Sequence, residues 1–193
     1  MAILIGMDEA GYGPNLGPLV VAATAWEAGS SGQGAGSGEP EGYELLRAVV
    51  TREACTDGHL AIADSKTLYH SGGGLRQLER GVHAALVAIG RPAARWSALV
   101  DALGADPVDG QRPLAWHAEF DCRLPVDASA DEVTSLGARL AEVGAAVGLR
   151  PLAVRARLVF PAEFNELVEL YGSKGVALSR VTLGLLREVF QSL

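Results

Sequence analysis

The chain has 193 residues, of which 49% are apolar and 20% charged, so we expect one ordinary domain with a packed core and exclude a disordered or fibrous protein. Its 16 Lys and Arg residues stand against 23 Asp and Glu residues, which gives a formal charge of −7. Such an acidic chain does not coat nucleic acid or anionic membranes non-specifically, so a nucleic-acid contact would need a local basic patch or a bridging metal ion.

The first two predicted elements are strands. Residues 2–7 form a short apolar run that ends at Asp8 and Glu9, as buried strands of α/β proteins do. Residues 11–15 have the composition of a turn, and residues 19–26 (LVVAATAW) predict a second strand. The connection is short enough for an antiparallel hairpin.

The next part of the chain predicts a flexible insertion followed by helices. Residues 28–42 are low-complexity Gly/Ser sequence with almost nothing to bury, which predicts a flexible loop. Residues 43–50 predict a short helix, and residues 60–63 are a brief apolar run. Residues 75–89 carry apolar side chains at positions 75, 78, 82, 85, 86 and 89, and this spacing predicts a helix with one apolar face.

A larger insertion is expected over about residues 91–150. Its first part, residues 91–127, is irregular and contains prolines at positions 92, 107, 113 and 125, with a strand expected around residues 114–123. From residue 129 onward the pattern is regular and predicts a helix, a strand and two helices, over residues 129–147, 152–160, 161–170 and 176–193. Ser129 is the expected N-cap of the first of these helices, and Gly148 ends it. Together the elements predict a single α/β domain over residues 1–193.

Cysteine content and hydropathy predict a soluble, cytoplasmic protein with no membrane partner, and we expect a monomer. Cys55 and Cys122 are far apart and in no metal-ligand spacing, so neither a disulfide scaffold nor a structural zinc site is expected. Residues 1–7 are too short and lack the positive charge of a signal peptide, and no stretch approaches the roughly 20 apolar residues of a membrane span. The cysteines have no evident base partner, and His83 is expected in the core or at the surface rather than at a metal.

The strongest chemical signal is the pair of adjacent carboxylates, Asp8 and Glu9, at the end of a predicted strand and before a glycine-rich turn. Magnesium and manganese prefer carboxylate oxygen and retained water, and two such ions can hold the attacking and leaving oxygens of a phosphodiester. Neighbours on a strand point to opposite faces, so both acids reach one ion only if the strand ends there or one acts through water. The alternative is an exposed acidic pair without function.

Two other segments have both a structural and a functional interpretation. Gly11 and Gly13 would let the backbone approach phosphate or sugar closely, although a plain turn also explains them. In the segment Asp64-Ser65-Lys66-Thr67-Leu68, the side chain of Asp64 or Ser65 can cap the following helix. Alternatively, Ser65 and Lys66 can contact a phosphate of a nucleic-acid backbone.

Three segments in order resemble ribonuclease HII, the type 2 ribonuclease H: GMDEAGYGP at residues 6–14, LGPLVVAA at 16–23 and DSKTL at 64–68. A looser similarity continues through residues 155–190, where FPAEFN at 160–165 lies near the family's Glu-Ile-Asp-x-x-Asn segment. The resemblance implies the ribonuclease H-like fold, a mixed sheet flanked by helices. It also implies Mg²⁺- or Mn²⁺-dependent hydrolysis, by a two-metal mechanism, of the RNA strand of RNA/DNA hybrids or of ribonucleotide-containing DNA.

Transferred residue by residue, the resemblance makes Asp8 and Glu9 the first two metal-binding, catalytic carboxylates. Gly11 and Gly13 would place backbone groups at the ribose 2′-hydroxyl, and Lys66 would lie near the nucleic-acid backbone. The chain also departs from the family. Tyr12 stands where the family has arginine, so a phosphate contact is lost and stacking on a base or sugar could replace it. The third family aspartate would lie beyond Leu193, so we expect a fold incomplete at its C-terminal end and a chain that is inactive, or very weakly active, as given.

Two other function classes stay open. One is a non-catalytic nucleic-acid-binding relative, which the change at Tyr12, the negative net charge and the missing acids favour. The other is a phosphotransferase of the actin and sugar-kinase type, which also opens with a strand ending in Asp and a glycine turn. The usual Asp-x-Gly-Thr turn of that class is absent here, because Glu9-Ala10-Gly11 follows Asp8.

Overall fold

A three-stranded antiparallel sheet organises the fold. The computed structural model describes residues 2–11, 17–29, 42–55, 57–69, 74–105 and 119–193. In these ranges the strands are β1 (Ala2–Ala10), β2 (Leu19–Ala28), β3 (Val50–Thr51), β4 (Leu60–Ala61) and β5 (Leu149–Val159). The helices are α1 (Gly42–Leu46), α2 (Ser65–Leu68), α3 (Arg76–Ala88), α4 (Trp96–Leu103), α5 (Ala130–Val147), α6 (Pro161–Tyr171) and α7 (Lys174–Ser192). The predicted combination of helices and strands is therefore confirmed, but the three-stranded sheet is antiparallel rather than mixed among the described strands.

The sheet has the order β1-β2-β5, and both of its pairings are antiparallel. The predicted hairpin of the first two strands is confirmed, with Ala2 opposite Ala28 and Ala10 opposite Val20. Both strands are longer than predicted, so Asp8 and Glu9 lie within β1 rather than after it. A separate parallel pair, β3 and β4, is two residues long.

Helices α6 and α7 cover one face of the sheet, and both are confirmed close to the predicted bounds. Alternate residues of β2 point into this layer and are buried there, as the period of a strand requires: Leu19, Val21, Ala23 and Ala25. Phe164 of α6 and Leu185 and Val189 of α7 pack against them. The Ser173 side chain caps α7 by accepting a hydrogen bond from the Val176 amide.

The other face is covered by α3, α4 and α5. The predicted N-cap at Ser129 and the left-handed glycine at Gly148 are confirmed as the two ends of α5. Val133, Leu136 and Leu140 of this helix are buried, so part of the segment set apart as an insertion contributes to the core.

Helix α3 has the predicted bounds but a different buried face. Leu75 and Val82, expected to be buried, are each 43% exposed, whereas Glu79, Arg80 and His83 are buried. The hydrophobic spacing located the helix correctly, but its orientation follows from polar partners supplied by distant segments.

Three further expectations have different outcomes. The helix predicted over residues 43–50 ends at Leu46, and Val50 lies in β3. Helix α4 was not predicted, although Trp96, Leu99, Val100 and Leu103 have helical spacing. A strand was expected at 114–123, but residues 114–118 lie outside the described residues and residues 119–123 contain only an isolated bridge. Residues 30–41 of the Gly/Ser segment also lie outside the described residues. No helix in the described ranges has the length and apolar character that a membrane crossing requires.

Candidate functional site

Strand β1 presents Asp8 and Glu9 to solvent near its C-terminal end. The Glu9 amide donates a hydrogen bond of 2.9 Å to Asp8 Oδ1. Neither carboxylate forms an ion pair with any residue in the described part of the chain. Two adjacent acids without a counter-charge are open to a cation from solution.

The two carboxylates lie on opposite faces of the sheet, as the alternation of a strand requires. Asp8 is opposite Ala22, which lies on the face of β2 that carries Val20 and Trp26, and Glu9 is opposite Val21, which is buried under α6 and α7. Because β1 continues to Ala10, the strand does not end at these residues. One ion could contact Asp8 directly and Glu9 only through water or after a change in the backbone.

On the Asp8 side of the sheet, a shallow hollow of about 280 Å³ is present between β1 and β2. Its lining residues are Gly6, Met7, Asp8, Ala22, Ala23 and Thr24. Most of these are small, and the oxygen-bearing side chains among them are the Asp8 carboxylate and the Thr24 hydroxyl, which accepts a hydrogen bond from Trp26 Nε1. The hollow therefore combines room for a hydrated ion with a carboxylate at its edge.

Gly11 begins the turn after β1 and has a φ of +79°, a conformation that favours glycine. A Cβ at this position would lie 2.8 Å from the Pro18 carbonyl oxygen, so the turn also needs the small residue sterically. Tyr12 and Gly13 lie outside the described residues.

Ser65 and Lys66 lie in the four-residue helix α2, which packs on α3. The capping interpretation of this segment is confirmed, because Asp64 Oδ1 accepts a hydrogen bond of 2.8 Å from the Lys66 amide. The side chains of Ser65 and Lys66 are exposed and form no hydrogen bond or ion pair with Asp8 or Glu9 in the described structure. Their contact with a phosphate stays a prediction.

Glu163 is a further acid within the looser resemblance, but it is not free. It is buried at the start of α6, and its Oε1 lies 2.7 Å from Nη2 of Arg157 on β5. Arg157 is opposite Val21, which in turn is opposite Glu9. The pair thus joins α6 to the sheet and engages the Glu163 carboxylate through Oε1.

A Cys-Asp-His cluster near β4 does not form a nucleophilic site. His59 Nδ1 lies 3.1 Å from Asp57 Oδ1, and the hydrogen bond between these side chains lowers the pKa of Asp57. The Cys55 thiol, however, donates to the backbone oxygen of His59 rather than to its ring. Across the described residues, no three His, Cys, Asp or Glu side chains are grouped so that they could hold a metal ion.

Comparison with known proteins adds no family assignment: no family model, no curated protein and no solved structure matches this chain.

Proposed function

We propose that this protein is a metal-dependent endonuclease that resembles ribonuclease HII and hydrolyses the RNA strand of RNA/DNA hybrids. The observation that carries the proposal is the adjacent, exposed pair Asp8 and Glu9 near the C-terminal end of β1, which has no ion-pair partner among the described residues and precedes the left-handed Gly11. Carboxylates without a counter-charge are the ligands that Mg²⁺ and Mn²⁺ prefer.

The architecture is compatible with a ribonuclease H-like fold, which we propose on the same basis. A sheet with helices on both faces is present, and β1 pairs on one side only, with β2, among the described strands. A mixed sheet would need at least one parallel neighbour, and the free edge of β1 is where such a strand could pair.

The donor set fits one weakly held, hydrated ion better than a pair of ions. Asp8 would bind the ion directly at the hollow beside Thr24. Glu9 would contribute through a water molecule, because its side chain extends from the opposite face of β1. When bound, the ion would supply an activated water and charge stabilisation at the scissile phosphate. Gly11 would bring backbone close to the sugar, and Ser65 and Lys66 would contact the strand's phosphates.

The test is cleavage of a hybrid whose RNA strand is end-labelled, by the protein expressed from its complete reading frame, with Mg²⁺, Mn²⁺ or EDTA. We expect metal-dependent cleavage that Asp8→Asn abolishes. Asp131→Asn is the matched control, since Asp131 is an exposed acid of α5 and should be dispensable. A folded protein that cleaves nothing, or cleavage that is unaffected by Asp8→Asn, would overturn the proposal.

A second candidate is a non-catalytic nucleic-acid-binding relative. It is favoured by the lack of a third metal-ligating residue near Asp8 and Glu9 in the part of the chain that is described. Binding of the hybrid that is equal in Mn²⁺ and in EDTA, without cleavage, would support this candidate over the nuclease.

A further inference from the structure

Two arginines face each other beside helix α4. Arg95 and Arg123 are directly opposite in an isolated antiparallel bridge, flanked by hydrogen bonds from the Trp96 amide to the Cys122 oxygen (3.0 Å) and from the Leu124 amide to the Ala94 oxygen (3.0 Å). This pattern makes them a non-hydrogen-bonded pair, the closer of the two cross-strand geometries, with both side chains on the same side. Like charges in such a pair are unfavourable unless an anion compensates them.

Among the described residues, the carboxylate that pairs with one of these arginines is that of Asp121. Arg95 Nε donates to Asp121 Oδ2 at 2.6 Å, and its Nη2 donates to the Asp121 backbone oxygen at 3.1 Å. The other carboxylate oxygen of Asp121 accepts the Ser97 amide at 3.0 Å, near the start of α4. Arg123 is exposed and has no hydrogen bond or ion pair with a described residue, so its guanidinium is open to a ligand on the described surface.

An exposed aromatic residue directly precedes Asp121, the partner of Arg95. Phe120 is 49% exposed and meets Trp96 edge-to-face, with ring centroids 5.8 Å apart and an interplanar angle of 68°. Trp96 is partly buried, so it contacts Phe120 from the core side and leaves part of the Phe120 ring exposed to solvent. Aromatic rings beside basic residues are the usual platform on which unpaired bases stack.

The position of this patch connects it to the candidate site. Trp96 and Val20 of β2 both pack against one buried cluster that contains Leu158 of β5, the residue opposite Val20. Val20 is also opposite Ala10, two residues beyond Asp8. The patch therefore lies at the same end of the sheet as Asp8, and on the same face, because Ala22 opposite Asp8 belongs to the same alternating row as Val20.

We propose that Arg95, Arg123 and Phe120 form a contact site for an unpaired nucleic-acid strand next to the hybrid. The arginines would contact its phosphates, and Phe120 would stack on a base. This inference rests on the proposed function, and it specifies a substrate with a single-stranded overhang. The exposed Glu119 beside Phe120 opposes the interaction and limits the affinity.

The experiment measures binding without catalysis. Fluorescence anisotropy in EDTA would compare a blunt RNA/DNA hybrid with one that carries a single-stranded overhang, over a series of salt concentrations. For Phe120→Leu, we expect overhang binding to weaken by about tenfold, with little change for the blunt hybrid. Arg123→Gln should weaken binding and lower the slope of log K against log salt by about 1.

Arg47→Gln is the matched control. Arg47 is an exposed arginine that directly follows α1. Its neighbour Leu46 packs in the cluster that Ala28 contacts, at the end of the sheet opposite to Asp8. This substitution should leave both the affinity and the salt slope close to those of the parent protein. Equal effects of Arg47→Gln and Arg123→Gln, or no preference for the overhang, would overturn the inference.

The two proposals fail in different ways. Cleavage that depends on Asp8, combined with parent-like binding by Phe120→Leu and Arg123→Gln, would sink the overhang site and leave the nuclease proposal standing. Overhang binding that depends on Phe120 and Arg123, without cleavage in any metal, would support the site and remove the nuclease. Both side chains are exposed, so circular dichroism and the unfolding midpoint should confirm that each variant folds.

Discussion

Arg80 of α3 and Glu132 of α5 form an ion pair beneath the surface: Arg80 Nε lies 3.0 Å from Glu132 Oε1, and the arginine side chain is fully buried. Arg80 Nε makes no hydrogen bond, so its contact with Glu132 is purely electrostatic. The Arg80 Nη atoms donate to the backbone oxygens of Cys55 (2.6 Å) and His59 (2.8 Å). One side chain therefore holds α3, α5 and the segment before β4 together.

Replacing Arg80 should destabilise the protein. Arg80→Met keeps the length of the side chain but leaves the His59 carbonyl without its arginine donor, while the Cys55 carbonyl keeps Gln77 and Glu132 keeps Arg76, and we expect a loss of about 1–3 kcal/mol. Arg76→Met is the control, because Arg76 contacts the same carboxylate but is itself 46% exposed, and we expect a loss below about 1 kcal/mol. Urea denaturation of both variants provides the measurement, and similar losses would show that burial does not decide the effect.

Glu79 should be the anchor of the segment before α5. Its two carboxylate oxygens accept hydrogen bonds from the backbone amides of Val126 (2.5 Å), Asp127 (2.7 Å) and Ala128 (2.9 Å). Glu79→Gln removes the charge and one acceptor, so stability should fall by about 1.5–3 kcal/mol. Hydrogen exchange should show the loss of protection at these three amides. The same change at the exposed Glu142 of α5 should leave them protected.

Two helix glycines should respond in opposite directions to alanine. A Cβ on Gly137 of α5 would lie 2.5 Å from Val87 Cβ and 2.7 Å from the Ala84 oxygen of α3, so Gly137→Ala should push the helices apart and cost about 1–3 kcal/mol. Gly184 of α7 has no neighbour within 4 Å of that position, and Gly184→Ala should stabilise by about 0.5–1 kcal/mol. Thermal unfolding that shows the same sign for both would contradict the close packing of α3 on α5.

Stability should fall as the solution becomes acidic, in part because of His83. Burial lowers the pKa of this imidazole, and the charge of Glu79 only partly offsets the effect. The unfolded chain takes up a proton at His83 near pH 6.5, while the folded chain does so only at lower pH. The unfolded state therefore binds more protons, and the free energy of unfolding decreases as the pH drops below about 6.5.

Denaturant titrations between pH 5 and pH 7 would measure this dependence. His83→Leu should make the slope of the unfolding free energy against pH shallower. Leu86→Ala, at another buried position of α3, should lower stability at every pH and leave the slope unchanged. An unchanged slope in His83→Leu would show that this histidine does not account for the acid sensitivity.

Elements whose signals are local can be predicted from the amino-acid sequence. The hairpin of β1 and β2 follows from two apolar runs joined by a turn, and the caps at Ser129 and Asp64 follow from side chains that bond amides two or three residues away. The placement of Asp8 and Glu9 on opposite faces also follows from the period of a strand. Such features need no information about the rest of the chain.

Which polar groups are buried and which charges are paired depends on contacts between elements that are distant in sequence. Glu79 accepts hydrogen bonds from backbone amides 47 to 49 residues away in sequence, and Glu163 forms an ion pair with Arg157. These two carboxylates are therefore engaged within the protein rather than free to bind a metal ion, which their sequence context does not reveal. The pairing of Arg95 with Arg123 likewise joins segments 28 residues apart in sequence (123 − 95). A buried charge is stable only beside its partner, and that partner is brought near by the packing of distant elements rather than by hydrophobic periodicity.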